Sequence, residues 1–159
     1  MLKFRYPEVI KAFDFEVCHI TEILAKLIDD GKIKPKTGVT GRLTYHDPCH
    51  LTRLGTPGAP VFEEPRSIIK SIPDIDFVEM EGNGHYTQCC GRNPEETLGL
   101  ALSTAINRIN DAQAAGADTI ITGCSFCLWR LSRAAKDIGS GIGLLDITTL
   151  LAKCLNLSN

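Results

Sequence analysis

The sequence predicts an α/β fold with a mostly parallel sheet of about four to five strands, and three observations predict it. Short apolar runs alternate with longer stretches of helical period from residue 13 to the end of the chain. Turn-forming residues punctuate the changes, notably Gly31, the Pro and Gly of 33–41, and Gly116. One strand–turn–helix pattern also occurs twice: "VCHITEILAKLI" (17–28) aligns without gaps on "LLDITTLLAKCL" (144–155), with Ile, Thr, Leu, Ala and Lys in register.

Taken in order, "FDFEVCHI" (13–20) reads as a short strand and 21–32 as a helix capped by Thr21. A loop over 33–41 leads to a strand at 42–46, which runs directly into "DPCH". The segment 63–72 reads as a short helix, with Pro65 tolerated in its first turn. A strand follows at 74–81. The long helix at 93–116 has Asn93 as N-cap, Pro94 at its first position and apolar residues at 98, 102, 105, 106 and 109. A buried strand at 118–123, a helix at 125–139, a strand at 143–147 and a helix at 148–157 complete the pattern. Strands alternating with helices imply a Rossmann-like three-layer domain. The repeated unit suggests that 1–32 is the terminal strand–helix of a preceding, incomplete repeat and that 42–157 is one complete copy.

The 159 residues suit a domain of ordinary size, and a net charge of −2 with scattered charges offers no basic surface for nucleic acid. The longest apolar runs are too short to span a bilayer, and the N-terminus lacks a signal-peptide core. A cytoplasmic location is expected, free or bound to a membrane complex on its cytoplasmic face. Seven cysteines, an odd number without a secretion signal, argue against a disulfide framework and for metal or thiol chemistry.

Five of the seven fall beyond the carboxyl ends of predicted strands, where open α/β sheets hold their ligands. Cys49 follows the strand 42–46, Cys89 and Cys90 follow 74–81, and Cys124 and Cys127 follow 118–123. The last pair starts a helix, where the dipole and free N–H groups favour thiolate. Cys18 and Cys154 are expected to be small buried hydrophobes. Adjacent cysteines such as 89 and 90 seldom bond each other, because their Cα atoms are held about 3.8 Å apart and a disulfide prefers about 5.5 Å. In an extended segment their side chains point to opposite sides. Structural zinc needs four donors, which five cysteines exceed. A dithiol centre made from "CSFC" would leave three cysteines without a role. An iron–sulfur cluster takes thiolates from separate loops and offers each member of an adjacent pair its own metal atom.

Thirty-nine residues separate Cys49 from Cys89, and thirty-three separate Cys90 from Cys124. With "HDPCH" (46–50), "CCG" (89–91) and "GADTIITGCSFC" (116–127), this spacing resembles the cysteine-rich CCG domain. That domain occurs, usually duplicated, in heterodisulfide reductase catalytic subunits and in iron–sulfur subunits of glycolate and lactate oxidation systems. The resemblance covers about 42–157 and suggests a C-terminal copy. It implies a non-cubane [4Fe–4S] cluster held by Cys49, Cys89, Cys90, Cys124 and Cys127, used for disulfide reduction or electron relay. It also implies a ferredoxin-type iron–sulfur protein or domain and a flavoprotein as partners, with a disulfide as candidate substrate. Some copies hold zinc, which keeps a structural or docking zinc module as the alternative. Two departures stand out: Arg92 follows the CCG, where a small glycine-rich loop is usual, and Ser125 stands where proline is frequent.

Further readings complete the set. His50 and His85 are the candidate proton donors to a departing thiolate, while His46 is read as a supporting or surface residue. His19 is read as structural, and Asp47 as shaping the turn before Pro48. Phe126 and Trp129 are read as packing that keeps water from the cysteines. "GNG" (82–84) lacks the spacing of a phosphate-binding loop.

Overall fold

The structure, a computed structural model, describes residues 2–53, 59–91 and 98–157. Among them, four strands form one all-parallel sheet: β1 (Arg42–His46), β2 (Asp76–Phe77), β3 (Thr119–Thr122) and β4 (Gly143–Asp146). The strand order is β2-β1-β3-β4. The helices are α1 (Leu2–Val9), α2 (Ile20–Asp29), α3 (Cys49–Thr52), α4 (Glu63–Lys70), α5 (Leu98–Ala114), α6 (Ser125–Asp137) and α7 (Ile147–Cys154).

Alternate residues of the central strands face two separate cores, as the two-residue period of a strand requires. Leu43, Tyr45 and Ile121 face α2, α4 and α7, where Ile68, Ile69, Ile147 and Leu150 complete a buried cluster. Ile120 faces α5 and α6, packing with Ala105, Ile109 and Leu131. These are the three layers expected from the sequence. Ala105 and Ala112 keep the apolar stripe of α5 shallow, so this helix lies close to its neighbours.

Three expectations need correction. Residues 13–18 form no strand but run as coil with one bend, at Phe15, into α2. The cap of α2 is His19 rather than Thr21: its Nδ1 accepts from the Thr21 N–H, and its own N–H donates to Glu22 Oε2 at 2.6 Å. The strand expected over 74–81 shrinks to Asp76–Phe77 at the sheet edge, because only Arg42 and Leu43 of β1 have register partners there. The expected start of the long helix, with Asn93 and Pro94, lies outside the described residues, as does Arg92.

The strand order fixes where a ligand can sit. From β1 the chain crosses outward to β2, whereas from β3 it crosses to β4 on the opposite side. The carboxyl ends of β1 and β3 therefore flank the switch point at which open parallel sheets form a crevice. His46 and Thr122, the last residues of these two strands, are register partners.

Candidate metal centre

Three loops leave the sheet at this crevice, and each carries cysteine. After β1 the chain passes Asp47 and Pro48 into the short helix α3, which starts at Cys49. After β2 it winds through a 3₁₀ turn at Gly84–Tyr86 and reaches Cys89 and Cys90. After β3 a single glycine, Gly123, precedes Cys124, which caps α6 by accepting the Cys127 N–H on its sulfur at 3.5 Å. Ser125 is the first residue of this helix, as its sequence range of 125–139 anticipated.

The adjacent pair differs in exposure, although both members touch the same apolar cluster. Cys90 is buried in the core beneath α5 and α6, whereas Cys89 is partly exposed. Cys49 and Cys127 are also buried, and Cys124 is half-buried. The centre thus has a deep side of three thiols and an open side of two. Gly91 explains the glycine that follows the pair. It adopts φ of 87°, and a Cβ there would collide with the carbonyl oxygen of Ala101 in α5.

The thiols are electrostatically linked. Burial, reinforced by Cys89 and Cys90, pushes Cys49 up to about 11. Hydrogen bonding between Cys127 and Cys124 acts in opposite directions on the two. It pulls Cys124 down to about 6, against its burial, and it raises Cys127, which also bonds Cys90. All seven cysteines are thiols. Cys154 is a buried hydrophobe in the α7 core, as expected, but Cys18 is only half-buried, with its sulfur 3.4 Å from Glu16 Oε1.

The histidines separate sharply. His50 is exposed with Nδ1 3.5 Å from Cys49 Sγ. His85 is exposed and packs edge-on against Phe62, with ring centroids 4.4 Å apart. His46, a supporting or surface residue on sequence grounds, is fully buried; one of its ring nitrogens and the sulfurs of Cys90 and Cys127 lie within 4.8 Å of one another. Phe126 and Trp129 pack on each other at 5.3 Å and are 37% and 52% exposed, an aromatic pair on the surface of α6.

No motif in the sequence signals the device that holds two of the loops together. The buried Asp47 carboxylate accepts both terminal nitrogens of Arg66 at 2.9 Å and the backbone N–H of Gly84 at 2.8 Å. Its carbonyl accepts the Thr87 hydroxyl at 3.0 Å. Arg66 reaches on to Glu79 and to the Phe62 carbonyl, and lies 5.6 Å from the centre of the Tyr45 ring. Burial works against its charge, but hydrogen bonds to Asp47 and Glu79 outweigh it and hold the guanidinium above its ordinary value. One residue after β1 is thereby fastened to the loop that carries Cys89 and Cys90. Asp47 shapes its turn, as expected, and anchors a second loop as well.

The donor set fits a polynuclear metal group: five thiols from three loops, a buried imidazole with no partner among the described residues, and a deep side closed by hydrophobic packing. Among the described residues, no helix is long and apolar enough to cross a membrane.

Residues 43–132 match the model of the cysteine-rich domain termed CCG. One subunit of the dihydromethanophenazine:CoB–CoM heterodisulfide reductase of Methanosarcina barkeri is 38% identical over 161 residues, covering 98% of this chain and 38% of that subunit. One subunit of the CoM/CoB fumarate reductase of Methanothermobacter marburgensis is 39% identical over 160 residues, covering 94% of this chain and 29% of its own length. A Bacillus subtilis protein named as a probable iron–sulfur-binding oxidoreductase, FadF, is 34% identical over 160 residues, covering 96% of this chain and 22% of its own length. The chain thus spans well under half of these relatives. The match over the β1, β3 and cysteine-loop region shows that the chain belongs to the CCG cysteine-rich domain family.

Proposed function

We propose that Cys49, Cys89, Cys90, Cys124 and Cys127 hold one iron–sulfur cluster of the non-cubane [4Fe–4S] type. In this reading the chain is the cluster-bearing part of a heterodisulfide-reductase-like oxidoreductase. The observation that carries it is the linkage of cysteines from three loops, Cys49 with Cys89 and Cys90, and Cys127 with Cys90 and Cys124, with three of the five buried and two half-buried. Relatives named as iron–sulfur-binding or as heterodisulfide reductase subunits support the redox class.

Such a cluster, when bound, supplies one-electron chemistry at sulfur, including stepwise reduction of a disulfide. The protein's own residues would confine it and manage protons. Cys49, Cys90 and Cys127 would grip the deep side, while Cys89 and Cys124 would face the incoming substrate. His50, exposed beside Cys49, is positioned to hand a proton to a departing thiolate. His85, exposed on the turn leading to Cys89, is the second candidate. A ferredoxin-type iron–sulfur protein or domain and a flavoprotein would supply electrons, since the relatives include proteins named as subunits. A cytoplasmic location belongs to the same reading, supported by the odd count of seven cysteines, which does not suit a disulfide framework. So does the assignment of 1–32 to the end of a preceding repeat and of 42–157 to a full copy, supported by the matched caps of α2 and α7: His19 and Asp146 fall at equivalent positions and each accepts from the N–H two residues on.

One observation favours a second reading. His46, Cys90 and Cys127 are close enough to take a single zinc ion with one more thiolate. Single variants purified without oxygen distinguish the two. Cys49→Ser and Cys90→Ser should each remove at least half of the bound iron, while Cys18→Ser and Cys154→Ser should leave it intact. Zinc at one per chain, indifferent to Cys49→Ser, would overturn the cluster.

A further inference from the structure

We propose that His46 donates its ring N–H to sulfur on the deep side of the centre, and that this hydrogen bond raises the centre's reduction potential; the proposal rests on the iron–sulfur reading above. His46 ends β1 with no exposed surface, and neither ring nitrogen has a hydrogen-bond partner among the described residues. A neutral imidazole carries one N–H donor and one lone pair, and burying either unpaired forfeits its hydration without return. A hydrophobic residue would fill this position without that cost if packing were its only task. The ring is not isolated: one of its nitrogens shares a 4.8 Å neighbourhood with the sulfurs of Cys90 and Cys127.

The surroundings argue for a donor rather than a metal ligand. Thr122 is the register partner of His46, and Thr44 stands two residues back on the same face of β1. Both hydroxyls are buried and also lack a partner among the described residues. Neither hydroxyl reaches a ring nitrogen, so the sulfurs of Cys90 and Cys127 are the acceptors the structure sets beside the ring N–H. Five thiols already complete the cysteine complement. An N–H directed at cluster sulfur stabilises the form with more negative charge on that sulfur, the reduced one. The bond strengthens when the centre takes up one electron, and the proton stays on nitrogen throughout.

The test uses the whole chain labelled with ¹⁵N-histidine, purified anaerobically and assayed first for iron and sulfide. It is then brought to its paramagnetic state with dithionite or ferricyanide and examined by pulsed EPR. The expected result is a weak ¹⁵N coupling that survives His50→Gln and His85→Gln and is lost in His46→Leu. The midpoint potential should fall in His46→Leu and lie between the two in His46→Gln, whose amide keeps a donor. The wild-type coupling is read without any variant, so the proposal remains testable if His46→Leu fails to fold. A strong, directly bonded ¹⁵N coupling would make His46 a ligand and overturn the proposal. Absence of coupling with an unchanged potential would reduce His46 to a packing residue and also overturn it. A chain without iron and sulfide would overturn the parent reading together with this one.

Discussion

Asp47 and Gly91 show how single residues hold the cysteine loops in position. Asp47 is a buried carboxylate whose partners come from α4 and from the turn before Cys89. Removing one partner of a buried ion pair strands the other, at a cost of about 3–5 kcal/mol. Asp47→Ala should therefore lower the unfolding free energy of the metal-free chain by about that amount, and Asp47→Asn by less, as measured by urea denaturation. A loss under about 1 kcal/mol for the alanine variant would show that Arg66 finds another acceptor. Gly91→Ala combines a left-handed backbone, costing about 1–3 kcal/mol, with a collision against α5. The variant should fold with lower stability and reduced metal content, and an alanine variant with full metal content would contradict the contact. The five cysteines were legible in the sequence because few residue types carry this chemistry and their spacing is distinctive. Arg66 was not, since its bond to Asp47 spans 19 residues that no periodicity links, and the arginine of a short helix reads as a surface charge.

At the scale of elements, the helices after residue 60 and strands β1, β3 and β4 follow the sequence pattern closely, because their periodicity and the turn residues that flank them agree. The strands that failed are those without a neighbour to pair with. "FDFEVCHI" alternates like a strand, yet strand preference depends on pairing and packing, and this segment finds no ladder. What it supplies instead is the cap of α2. Burial lowers the His19 value from 6.5, against the raising influence of Glu22, a Gly123 hydrogen bond and Asp146. Its Nδ1 must be unprotonated to accept the Thr21 N–H. Because the folded value lies below the unfolded one, this contribution to stability is complete above pH 6.5 and is lost as pH falls through the folded value. The wild type should thus lose stability relative to His19→Asn, which caps without titrating, as pH drops from about 7.5 to about 5 in thermal unfolding of the metal-free chain. Parallel curves for the two proteins would contradict the assignment.

For the whole molecule, the decisive feature is the strand order β2-β1-β3-β4, which brings the ends of β1 and β3 to the crevice where the cysteine loops meet. The sequence placed the cysteines beyond strand ends but could not order the strands, so the pairing of His46 with Thr122, and with it the deep polar side of the centre, became visible only in three dimensions. The measurement that tests the central claim most directly is the amount of iron, zinc and acid-labile sulfide per chain in protein purified without oxygen. Roughly four iron and four sulfide, as a [4Fe–4S] group requires, with negligible zinc, is the predicted result. About one zinc and no sulfide would contradict it, leaving five converging thiols as a structural metal site.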